Sequence, residues 1–148
     1  PNYDVDLNGD PGRTVKRSNA APGDLDISEV QLWALYFEAP WRATGTPKID
    51  IWVAAEDFDL DSQSSIVVYL AECEGPDSCS SLGKQQADFS QADFGSDFGL
   101  LTVVLPPVDE VIDAQRWLAL GITVPNESDD DVWLAFDTTS HPARGYLL

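Results

Sequence analysis

The chain of 148 residues carries 26 Asp and Glu against 8 Lys and Arg, a formal charge of -18, with 43% hydrophobic residues, two Cys and no Met. A chain this long removes roughly 70% of its unfolded surface from water, so one core suffices without a metal or dense disulfides, and residues 1–148 are read as a single domain. The charge excludes nucleic acid as a default partner, because phosphates find too little to neutralise them, and no apolar run approaches the ~20 residues of a membrane helix, so no membrane insertion is expected.

Nineteen of the acids are Asp and only three residues are Lys, which makes a surface of short, strongly hydrated carboxylates. A generally acidic secreted protein and a protein of a saline habitat both fit, the first kept soluble by self-repulsion and the second by counterion screening.

At the N-terminus Asp4, Asp6, Asn8 and Asp10 alternate around Gly9, the spacing with which a tight loop turns oxygens towards one hard cation. The twelfth position of the helical calcium-hand pattern is Val15 and not Glu, and Pro11-Gly12 would break the following helix, so that hand is rejected. A structural Ca2+ site within a β-sandwich survives the objection; a solvated acidic turn is the alternative. Two further acidic runs, Glu56 to Asp61 and Glu127 to Asp131, read as solvated loops that become cation ligands only if they cluster at one end of the fold.

Strands are expected at Val30 to Phe37, Ile49 to Ala55, Ile66 to Ala71, Leu100 to Leu105, Arg116 to Val124 and Val132 to Phe136, with shorter ones near Arg13 to Arg17, Leu82 to Asp88 and Tyr146 to Leu148. Each is β-branched, aromatic or alternating and is bounded by turn residues. Only Val108 to Asp113 and Ser90 to Phe94 are read as able to hold a helical turn. The expectation is an all-β fold, an antiparallel β-sandwich of jelly-roll-like type with about eight or nine strands.

Cys73 and Cys79 bracket Glu-Gly-Pro-Asp-Ser, whose turn chemistry reverses the chain and brings the sulfurs together, so a hairpin disulfide and an oxidising, extracytoplasmic environment are expected. Zinc needs about four Cys or His ligands, more than the two Cys and single His present. Asn126-Glu127-Ser128 is a formal glycosylation sequon.

Catalytic inventory is poor. His141 is the one imidazole, and neither a Gly-x-Ser-x-Gly elbow nor a Gly-rich phosphate loop is present. Two-carboxylate glycoside hydrolysis depends on a separation that the sequence does not give. Of the five Trp, Trp33 and Trp133 are assigned to the core, whereas Trp52 and Trp117 fall opposite the aliphatic stripes of their strands, as a platform for sugar or as a protein contact.

Tyr3 to Asn8 with Pro11-Gly12-Arg13, Trp52 to Phe58, and Asp130 to Thr139 with Pro142-Ala143-Arg144 resemble, in combination, a β-sandwich module of secreted and surface-anchored bacterial and archaeal proteins. The strand after Asp113-Ala114-Gln115 is similar to the last long strand of jelly-roll domains appended to secreted hydrolases. The resemblance implies an extracellular, non-catalytic module in which Asp137 joins the N-terminal acidic loop; Ala143 departs from it, where Ser is expected. The function expected is a structural or adhesive module, in its sharpest form the exposed domain of a surface filament or pilus subunit, with self-association or a neighbouring surface protein as partner. The alternative is a carbohydrate-binding module attached to a secreted hydrolase, with glycan as partner, and an enzyme ranks third. The expected location is extracellular or at the cell surface, as a soluble ectodomain or a processed mature chain.

Overall fold

The computed structural model describes residues 13–17, 31–75, 78–136 and 144–147. Along them run eleven strands: β1 (Arg13–Arg17), β2 (Gln31–Phe37), β3 (Trp41–Gly45), β4 (Pro47–Ala55), β5 (Gln63–Gly75), β6 (Ser78–Ser90), β7 (Gly99–Val104), β8 (Val108–Ile112), β9 (Arg116–Thr123), β10 (Val132–Phe136) and β11 (Arg144–Leu147). Among the described residues the helical content is two single 3-10 turns, Glu56–Phe58 and Gln91–Asp93. Every pair among the described strands is antiparallel.

The first sheet is built on β4. One edge of β4 pairs with β7, and the other is shared by β10 along Trp52–Ala55 and by β11 along Pro47–Asp50; β1 lies outside β10. The second sheet runs β2-β9-β5-β6, and β3 with β8 forms a separate two-stranded ribbon. Among the described strands four connections carry the chain between the two larger sheets and four more enter or leave the ribbon, the sheet-changing habit of a two-layer β fold.

The period-2 pattern of each strand decides what lies between the layers. In β4 Ile49, Ile51 and Val53 point inward; they meet Ile66, Val68 and Leu70 of β5, Val103 of β7, Ile122 of β9 and Leu134 of β10 in one continuous core. Each such aliphatic side chain contributes roughly 1.5–3 kcal/mol by leaving water. Gly99 has a packing reason to lack a side chain, since a Cβ there would run into the ring of Phe94.

The ribbon is the main departure from the sequence reading. Val108 to Asp113 holds no helical turn but a strand, paired from Val108 opposite Gly45 to Ile112 opposite Trp41. Only its ends, Val108 and Ile112, are buried, so apolar residues four apart imitate a helix face. With β3 this gives two strands beyond the expected count. Ser90 to Phe94 does contain the 3-10 turn.

Candidate functional site

The two ends of the sandwich differ in chemistry. At one end the acidic runs converge. Glu56 N–H donates to the carbonyl of Asp131 (2.9 Å) and Asp129 N–H to that of Gln63 (3.1 Å). Gln63 N–H in turn donates to the Asp129 carboxylate (2.9 Å), and Asp61 N–H to the Asp59 carboxylate (3.0 Å). The Asp59 carboxylate thus closes its own turn, and that of Asp129 ties its loop to the start of β5. Asp57 and Phe58 both lie at positive φ, 57° and 53°, which turns the Phe58 ring edge-on to Phe98 at 5.6 Å. Among the described residues no three His, Cys, Asp or Glu side chains converge as a metal site. Asp4, Asp6, Asn8, Asp10 and Asp137, the expected Ca2+ ligands, lie outside the described residues, as does His141.

One residue that organises this end was not singled out in the sequence. Gln91, fully buried, donates through Nε2 to the carbonyls of Gly95 and Asp97 (both 2.9 Å) and accepts at Oε1 from Ala55 N–H (2.7 Å). A Gln following a polar strand end carries no pattern that marks it as buried.

The opposite end is aromatic. The turn Glu38 to Pro40 folds Trp41 back onto Phe37, with rings parallel within 4° and centroids 5.1 Å apart. On the outer side of the second sheet Tyr36 stands directly opposite Trp117, centroids 5.0 Å apart and planes tilted by 58°. These two rings are 43% and 37% exposed, and Leu35, on the other face of the same strand, is 62% exposed. Beside Trp117, Cys73 and Cys79 are opposite partners of the β5–β6 hairpin and are joined as the expected disulfide, a bond that forms and persists in oxidising compartments. Among the described residues no helix is long and apolar enough to cross a membrane.

Trp52 and Trp117 are not brought together. Trp117 is on the second sheet, whereas Trp52 lies on the outer face of the first, half-buried in a cluster of Ala54, Phe98 and Ala135 with Phe58 and Trp133. Trp133 accordingly belongs to that outer cluster and not to the core between the sheets; its neighbours Val132 and Leu134 point inward. The side chain of Trp33 lies outside the description. Asn126 is exposed, while the sequon hydroxyl of Ser128 is buried, accepting from Ser65 N–H (3.1 Å) and donating to the Asp130 carbonyl (2.8 Å).

A groove of about 350 Å3 crosses the outer face of the second sheet between Lys84, Gln85, Gln86 and Glu127, over Val67 and Tyr69. The Lys84 ammonium sits 5.8 Å from the centroid of the Tyr69 ring, a cation–π contact.

No known protein family and no curated protein matches the chain. Among solved structures it is similar to a CocE/NonD family hydrolase from Staphylococcus aureus, with a TM-score of 0.67 and 6% identity over 93% of this chain and 32% of that one. It is also similar to an aminopeptidase from a marine sediment Thaumarchaeota archaeon (TM-score 0.63, 11% identity, 80% of this chain and 25% of that one). An α-amino acid ester hydrolase gives a TM-score of 0.63 at 9% identity over 89% of this chain and 27% of that one. At such identities the likeness is one of fold, and the chain spans a quarter to a third of the length of each.

Proposed function

We propose that the chain is a non-catalytic accessory module of an extracellular or cell-surface protein, and that it works by packing an aromatic edge against protein neighbours. The observation that carries this reading is the Tyr36–Trp117 pair, left exposed on the outer side of the second sheet on a molecule whose net charge is -18. Large apolar side chains kept at the surface of so acidic a protein are the signature of a contact to be covered. The recurrence of this fold as part of longer hydrolase and aminopeptidase chains supports an accessory role. A surface filament or pilus subunit is the sharpest form of the proposal, with Ca2+ stiffening the N-terminal loop.

Carbohydrate binding is the second reading, favoured by the groove in which Lys84, Gln85, Gln86 and Glu127 offer donors and acceptors around Tyr69. Titration of the purified chain with a panel of soluble oligosaccharides, followed by tryptophan fluorescence and calorimetry, separates the two. The packing reading expects no saturable response. Saturable heat that disappears with Lys84→Ala combined with Gln86→Ala would assign the groove to sugar, and saturable heat that disappears with Trp117→Ala would assign the aromatic edge to it; either overturns the packing reading.

A further inference from the structure

We infer that the open edge of β2 is a homotypic pairing site, at which two copies of this chain join their β2 strands antiparallel about a two-fold axis at Ala34. This rests on the reading of the aromatic edge as a protein contact. Among the described residues β2 has a strand partner only on its β9 side. The Phe37 carbonyl points to that side, where it accepts from Gln115 N–H at 2.8 Å. The β2–β9 register runs without a shift from Gln31 to Phe37, so alternation turns the N–H and C=O groups of Leu32, Ala34 and Tyr36 to the open side.

Natural sheet edges are guarded by Lys, Pro, bulges or inward charges. The other edge of this sheet, β6, follows that rule with Lys84, Asp88 and a register shift opposite Leu70 and Ala71, and the edge strand β1 carries Arg13, Lys16 and Arg17. Strand β2, Gln-Leu-Trp-Ala-Leu-Tyr-Phe, has no charge, no Pro and no bulge, although 26 of the 148 residues are acidic.

Charge and symmetry choose the occupant. Pairing about Ala34 sets Ala34 against Ala34, Leu32 against Tyr36, Trp33 against Leu35 and Gln31 against Phe37. All three edge-directed residues of each strand thereby enter one ladder with two-fold symmetry. No charge falls within it, and Glu38 lies beyond its end. The β1 or β6 strand of a second copy would instead bring unpaired charge against apolar neighbours, at a desolvation cost. The paired form covers what the single copy exposes: Leu35 on one side of the sheet, and Ala34 and Tyr36 on the other.

The copies repel through their net charge, and at about 1 M salt that repulsion is screened to roughly 3 Å, so pairing strengthens with salt. Light scattering on the purified chain, from low salt to about 1 M NaCl and up to roughly 1 mM protein, tests this. The expected result is a mass rising with salt to twice 16.2 kDa and no further. Ala34→Pro removes an N–H aimed at the open edge and leaves the β9 ladder intact, as a proline on an edge strand does. It should weaken the dimer roughly ten- to hundred-fold through the lost reciprocal bonds, and Leu35→Lys, at an already exposed site, should weaken it likewise. Val104→Lys on the other uncharged edge, β7, should change nothing. A monomer under every condition overturns the inference, as does a dimer that survives Ala34→Pro and Leu35→Lys but is lost with Val104→Lys. Either outcome leaves the packing reading standing, which only the oligosaccharide titration overturns.

Discussion

The side-chain carbonyl of Gln91 accepts a 2.7 Å hydrogen bond from the backbone N–H of Ala55, at the point where β4 leaves the first sheet. Through the same amide the loop carbonyls of Gly95 and Asp97 are satisfied, so one uncharged side chain substitutes for a strand of backbone pairing at the acidic end. Gln91→Leu keeps the volume and strands one buried donor and two acceptors. At about 1–3 kcal/mol per orphaned group, with part recovered by water, a loss of roughly 2–4 kcal/mol is expected. Urea denaturation monitored by tryptophan fluorescence would show it as a lower midpoint at unchanged slope.

The Cys73–Cys79 bridge closes a short loop inside an already paired hairpin. Replacing both residues by Ser should cost about 2 kcal/mol in the chain-entropy account and leave the fold intact. Without reductant, intact mass after alkylation should show neither sulfur labelled; labelling of both contradicts the bridge.

Asp88 is held below the usual carboxylate range, first by the hydrogen bond from Gln86 and then by that from Ser65, with burial opposing. Its ionised form is therefore favoured in the folded state. The stability this gives is present above the unfolded value and is lost as pH falls through the folded one. The carboxylate is exposed, so the effect is small. Between about pH 6 and pH 3 the melting temperature of the native chain should fall slightly more than that of Asp88→Asn. Parallel curves for the two proteins would remove Asp88 from the acid response.

Ca2+ at the N-terminal loop predicts that Asp4→Ala combined with Asp6→Ala lowers the melting temperature in calcium and leaves it unchanged in chelator. An equal loss under both conditions sinks the calcium proposal, because a ligand stabilises only in proportion to its occupancy of the folded state.

Local chemistry wrote much of this architecture into the sequence, and tertiary neighbours wrote the rest. The strands ending at Phe37, Ala55, Val104 and Phe136 were legible from alternation and flanking turn residues, and the disulfide from its turn. The ribbon was not, because Val108 and Ile112 are buried by contacts made elsewhere while Asp109, between them, serves Arg42 across the ribbon at 2.8–3.0 Å. Periodicity cannot separate that pattern from a helical turn. Trp52 and Trp117 both lie on outer faces, yet a strand pattern does not say which sheet a face belongs to. Nor does it show that the Phe58 and Phe98 loops will fold over one of them and leave the other bare.

The register of β1 against β10 sets Arg13 opposite Phe136 and Arg17 opposite Val132, a pairing between the first of the described strands and the last but one. During synthesis β1 is made long before its partner β10, and this part of the first sheet cannot close until β10 exists. Long-range β pairing of this kind is slow to form in general, and it leaves uncharged edges such as β2 uncovered meanwhile. For such a chain a strongly acidic surface has a kinetic use besides solubility, since it holds incomplete copies apart while they wait for their last strands.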